Sequence, residues 1–184
     1  RLYELPIPVI AAVNGVAVGG GLAYALHCDI RIASRTARFG SVFIKAGFSS
    51  MDMGTSYLLP KIVGAGIARE LMLTGRIIDA EEAHRIGLAN RVVPAAEVVP
   101  TARAWAERLA RGPAFAHTMT KQMLESEHGM SLAAAIEAEA QAQAICMAHP
   151  DFRAAYEANK EKRAPRFEGA EICGEPEAAP GNKA

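Results

Sequence analysis

Val9-Ile-Ala-Ala-Val-Asn-Gly-Val-Ala-Val-Gly-Gly-Gly-Leu22 is the stretch whose reading decides the fold of this chain. Its first five residues are small or β-branched and uncharged, which suits a buried strand. Asn14-Gly15 favours positive φ and therefore a turn. Val16 to Val18 reads as a second short strand, and three glycines then lead a helix to about His27. Two strands and a helix in so short a span open an α/β unit. Glycines between a strand and a helix let backbone N–H groups approach a ligand closely, at the positive end of the helix. A phosphate fits that description, and so does an oxyanion developing on a carbonyl. Tight strand–helix packing uses the same glycines. The spacing is not G-x-G-x-x-G and no Gly-Lys-Ser/Thr follows, so nucleotide-loop readings are weak.

The same stretch raises a membrane question. Leu5 to Cys28 carries no charged residue and is long enough to span a bilayer, which takes about 20 apolar residues. Ala23-Tyr24-Ala25 also mimics a signal-peptidase site. Pro6, Pro8, Asn14 and the glycines at 15, 19, 20 and 21 argue against both, and the soluble reading is preferred.

Outward from there, Asp29 to Ser34 alternates as a strand with Ile30 and Ile32 on one face, and Ala37 to Phe43 is extended. Gly47 to Gly54 is a loop, and helices follow at Thr55 to Val63, with Pro60 kinking it or near its end, and at Gly66 to Thr74. Asp79 is placed to N-cap a helix through Arg85, stopped by Gly87. Ala89 to Val93 is a strand ended by Pro94. From Ala96 the chain turns to alanine-rich helix. Ala102, Trp105, Ala106, Leu109 and Ala110 follow helical spacing. Pro113 opens a second helix, in which Phe115, Met119 and Met123 share a face. Leu132, Ile136, Ala140 and Ala144 mark a third, and Phe152 to Arg163 a fourth. This divides the chain into an α/β part (1–95), a helical region (96–163) and a tail (164–184) expected to be loose.

Composition narrows the function. Of 184 residues 51% are hydrophobic, enough for a sizeable core and against whole-chain disorder. Twenty basic residues balance twenty acidic ones, so the basic excess of a nucleic-acid binder is missing. Cys28, Cys146 and Cys173 make neither a disulfide framework nor a zinc cluster, and a cytoplasmic location is the default.

Pro8-Val-Ile-Ala-Ala-Val-Asn-Gly15, the three glycines, Cys28-Asp29 and Ala37-Arg-Phe-Gly40 together resemble the crotonase superfamily of enoyl-CoA hydratases and isomerases. The likeness continues through Leu71-Met-Leu-Thr-Gly75, Asp79-Ala-Glu-Glu-Ala83 and Gly87-Leu-Ala-Asn-Arg-Val-Val93. It reaches Glu161-Lys-Arg163 and Pro165-Arg-Phe167. It implies a spiral of ββα turns followed by a helical trimerisation region, in trimers or pairs of trimers. It also implies an acyl-CoA thioester as substrate, with coenzyme A part of that substrate and no separate cofactor or metal. The thioester enolate is held by two backbone N–H groups, of which Gly20 supplies one, with Gly19, Gly21 and Phe43 beside the substrate. Lys162, with Lys160 and Arg163, falls where relatives contact CoA phosphates; an exposed helix end is the plainer reading. Family members carry further turns before the position of Arg1, so the strand at Val9 to Val13 is expected to show an unpaired edge.

The acids depart from the pattern. Hydratases place one glutamate two residues after the triple glycine, where this chain has Ala23. They place another after Phe-Gly-x-Pro, where it has Phe43. Neither side chain transfers a proton, so isomerase-like chemistry is favoured over hydration. Asp52, among Phe48, Met51 and Met53, is the candidate base, since some dienoyl-CoA isomerases carry an aspartate before a similar Gly-Thr pair. Its competing reading is a cap on the helix that follows. The alternative for the whole chain is a non-catalytic acyl-CoA-binding or assembly subunit. The five histidines lack metal spacing, and Glu81 and Glu82 read as solvated.

Overall fold

The computed structural model of the chain describes residues 2–167. It divides into two units, one ending at Trp105 and one starting at Ala106.

The first unit carries two small three-stranded sheets. β1 (Ile10–Val13), β3 (Ile30–Ser34) and β6 (Arg91–Val93) form one, parallel throughout, with β3 in the middle. In the other, β4 (Arg38–Gly40) pairs in parallel with β2 (Val16–Val18) and antiparallel with β5 (Ile78–Asp79). Ile10 pairs with Ile30 and Val16 with Arg38, so the chain returns beside itself after each ββα run. Parallel neighbours need a crossover, and α1 (Gly20–Leu26) belongs to it. Neither Asn14 nor Gly15 takes positive φ. The two residues bend the chain from one sheet into the other instead of closing a hairpin. Among the described residues β1 pairs with β3 alone, which leaves it the expected free edge, and β2, which pairs with β4 alone, has one too.

The main core lies between these sheets and the helices that follow them. Phe39 and Ile78 meet Leu22 and Leu26 of α1, Leu58, Leu59 and Val63 of α2 (Thr55–Val63), and Ala68 and Leu71 of α3 (Ala65–Thr74). Asp79 caps α4 (Ala80–Arg85), its carboxylate accepting the Glu82 N–H at 2.9 Å. Pro60 lies inside α2, where its missing N–H removes one rung of the ladder. A second, smaller core gathers Ile32 and Val93 with Val98 and Ala102 of α5 (Val98–Ala110), packed by Ile10, Ile30 and Trp105. Ile30 and Ile32 do share a face, but the other face of β3 is covered too, because Ala33 belongs to the main core. The run that raised the membrane question is split between β1, β2 and α1. No helix among the described residues is long and apolar enough to cross a membrane.

The second unit holds α6 (Ala114–Ser126), α7 (Leu132–Ala148) and α8 (Pro150–Lys160). Ser131 caps α7 by accepting the Ala134 N–H. His149 caps α8 and stacks on Phe115, ring centres 4.6 Å apart. Phe115, Met119 and Met123 are half-buried together on α6. Leu132 and Ile136 of α7 are 78% and 55% exposed, and the buried residue of that helix is Ala142. The tail beyond Phe167, with Cys173, lies outside the described residues.

Candidate active site

Gly19 sets the start of α1. Its φ of 54° and ψ of −121° suit glycine and strain any L side chain. Its N–H donates to the Gly40 carbonyl at 2.9 Å, tying it to the end of β4, and its carbonyl accepts the Ala23 N–H at 3.0 Å. The N–H groups of Gly20 and Gly21 fall in the first helical turn, where no intrahelical acceptor exists. No partner meets either one among the described residues. A Cβ on Gly19 would lie 3.6 Å from the Phe43 ring, so that ring borders the glycine backbone.

The opposite end of α1 is clamped by Arg31, which is only 5% exposed. Its Nε donates to the Leu88 carbonyl at 2.7 Å, and its Nη1 to the carbonyls of Cys28 at 2.6 Å and Ala25 at 3.4 Å. Asn90 accepts the Arg31 N–H through Oδ1 at 2.8 Å. Burial pulls the guanidinium pKa below its usual value, against the neighbouring charges of Cys28 and Asp29. Sequence reading passed over Arg31, although a charge between Ile30 and Ile32 was the visible signal.

The loop before α2 lies along α1. The Asp52 carbonyl accepts the Thr55 N–H at 2.9 Å, with Met53 at φ 48° and Gly54 at φ 76° between them. Two left-handed central residues make this a type I′ turn. Met53 Sδ comes within 3.8 Å of where a Gly20 Cβ would stand, and Gly54 packs by the His27 ring at 3.6 Å on the same measure. Ser50 Oγ anchors the loop to α3 by donating to the Met72 carbonyl at 2.7 Å.

Asp52 itself is exposed, and its carboxylate accepts the N–H of Met53 at 2.9 Å. It does not cap α2. Gly54 holds the N-cap position with no side-chain bond. Phe48 and Met51 are 67% and 69% exposed, so the apolar surroundings of Asp52 are a solvent-facing rim and not a buried pocket. Ala23 is fully buried. The fold therefore gathers Gly19, Gly20, Gly21 and Phe43, and it brings the Asp52 loop to them through Met53. Lys162 belongs to the second unit, exposed and left-handed at φ 55°, just past α8.

The remaining polar candidates have structural work. His27 Nδ1 donates to the Ala23 carbonyl and His84 Nδ1 to the Ala89 carbonyl. Glu82 is not simply solvated: Arg76 grips it with two bonds of 2.9 and 2.8 Å and holds its carboxyl below the usual range. No group of three metal-ligating side chains exists among the described residues.

Residues 1–170 match the family model for enoyl-CoA hydratase/isomerase. The chain belongs to that family. Within the family it is 43% identical over 171 residues to the probable enoyl-CoA hydratase echA12 of Mycobacterium tuberculosis, covering 90% of this chain and 59% of that protein. It is 38% identical over 169 residues to the 1,2-epoxyphenylacetyl-CoA isomerase of Escherichia coli, covering 92% of this chain and 64% of the relative. The crystal structure of an enoyl-CoA hydratase/isomerase from Cupriavidus metallidurans superposes with a TM-score of 0.86 at 39% identity, over 91% of this chain and 63% of that one. The chain thus spans about three-fifths of the length of these family members.

Proposed function

We propose that this chain contributes to an acyl-CoA thioester site that moves a double bond by proton transfer. The Gly20 N–H donates to the thioester oxygen, and Asp52 carries the proton. Coenzyme A enters as part of the substrate. From a 3-enoyl thioester the Asp52 carboxylate takes a proton from carbon 2. The electron pair moves onto the thioester oxygen, where the Gly20 N–H stabilises it. Collapse of the enolate then sends the pair to carbon 4, which takes the proton back from Asp52. One carboxylate serves both steps and no water is consumed.

The observation that carries this reading is the approach of Met53 to Gly20, its Sδ 3.8 Å from where a Gly20 Cβ would stand, which brings the turn holding Asp52 toward the start of α1. Ala23 and Phe43 support it from the other side, since hydration by two glutamates has no acid at either position. One relative, the 1,2-epoxyphenylacetyl-CoA isomerase of Escherichia coli, is an isomerase by name, which supports the isomerase reading over hydration. Asp52→Asn in the protein that carries this chain is the test. Turnover of 3-enoyl-CoA and dienoyl-CoA should vanish, while calorimetric affinity for a saturated acyl-CoA stays within a few-fold. Normal turnover in that variant would remove Asp52 from the chemistry.

The exposure of Asp52 favours a second reading, a non-catalytic acyl-CoA-binding or assembly subunit. A parent that binds acyl-CoA and turns over nothing would establish it. In both readings the exposed apolar residues of α7, Leu132 and Ile136 among them, serve self-association into a homotrimer or a pair of trimers.

A further inference from the structure

Met53 holds a backbone conformation that its own side chain disfavours. Among the described residues only Met53 and Lys162 combine positive φ with a side chain larger than glycine's hydrogen. Met53 fills the first central position of the turn from Asp52 to Thr55, where Asn, Asp or Gly is usual. Glycine would make the same turn without strain. What the strain preserves is the position of the thioether. Sδ reaches the flank of Gly20 at 3.8 Å from the Cβ position, yet the residue stays 41% exposed. It has not joined either core. On the neighbouring glycine the Phe43 ring holds the equivalent place at 3.6 Å. The two glycines on either side of the Gly20 peptide N–H are thus each approached by an apolar group, Gly19 by an aromatic ring and Gly20 by a thioether.

We propose that Met53 is a specificity-determining residue of the thioester site inferred above: its thioether is the surface on which the acyl carbons beyond the carbonyl rest, and it selects extended apolar acyl groups over short ones. An unbranched, polarizable side chain suits that task, because it adapts to chains of different shape.

The test is calorimetric binding of acetyl-CoA and octanoyl-CoA to the protein carrying this chain, as wild type, Met53→Gly and Met53→Leu, with thermal unfolding of each. Wild type should bind octanoyl-CoA the more tightly. Met53→Gly should cut that preference about tenfold, the scale of a lost apolar contact in a pocket. It should also raise the unfolding midpoint by about 2–4 °C as the left-handed strain disappears. Met53→Leu, still strained and still apolar, should keep the preference within a few-fold. An unchanged preference in Met53→Gly would overturn the assignment while leaving the thioester site standing. A midpoint that falls would show the thioether to be core packing and overturn it as well. If wild type binds neither thioester, the thioester site itself is refuted and Met53 loses its role with it.

Discussion

Replacing Arg31 with methionine removes the clamp on α1 while keeping an unbranched side chain of similar reach. The guanidinium is buried and makes two short bonds, to the carbonyls of Leu88 and Cys28, and one long bond to Ala25. Its departure strands two carbonyls in the interior, at about 1–3 kcal/mol each. Part of that is returned, because no desolvated charge is left to hold. The net loss should be about 2–3 kcal/mol, or about 4–12 °C in the unfolding midpoint of a chain this size. Urea unfolding followed by circular dichroism measures the first, and a thermal scan the second. Amide exchange adds the local readout. Since the Ala25 and Cys28 carbonyls close the C-terminal end of α1, the amides of Leu26 to Cys28 should exchange faster at conditions where the rest of the first unit is protected. Arg31→Lys should fall between, because a single ammonium cannot reach three carbonyls in the geometry a planar fork allows. A loss below about 0.5 kcal/mol, with exchange in α1 unchanged, would refute the clamp.

Gly19→Ala should destabilise by about 1–3 kcal/mol through backbone strain alone, since the Phe43 ring leaves room for a methyl group; chemical denaturation checks it. Arg76→Met should cost about 0.5–1 kcal/mol at neutral pH. Because Arg76 lowers the Glu82 pKa in the folded state, that stabilisation is present above the ordinary carboxylate range and is lost as pH falls through the folded value. Urea midpoints of wild type and variant should therefore converge in acid, and a gap that persists there would contradict the pairing. Ile136→Glu should shift the protein toward monomer in sedimentation velocity, because the residue is exposed and apolar on α7; an unchanged oligomer would move the association surface elsewhere.

Local order was plain in the residues. The glycines at 19 to 21 announced a strand-to-helix junction, and α1 begins at Gly20. Asp79 announced a cap, and its carboxylate makes that bond. Thr55 to Val63 was bounded correctly because a glycine stands on either side of it. Asn14-Gly15 misled in type, since the pair turns a corner between sheets without using positive φ. In the candidate site, the Phe43 ring borders Gly19 in the fold. Asp52 was named with two roles, and the capping role failed because Gly54 already stands at the N-cap.

What the sequence determined by itself rests on interactions within a few residues: helical and strand periodicity, caps, and the backbone freedom of glycine. These energies depend on neighbours along the chain, so residue order alone sets them. Tertiary structure decided the rest. Pairing of β3 with β6 joins segments separated by three α-helices and two strands of the other sheet, and only packing selects that partner. Burial of Arg31 follows from covering β3 on both faces, which no local pattern around Ile30 and Ile32 reveals. The approach of Met53 to Gly20 depends on α2 packing beside α1, so what brings the turn holding Asp52 toward the start of α1 exists only in the folded chain. Side chains from distant segments converge because a common core must be closed, and that requirement is written in three dimensions rather than along the chain.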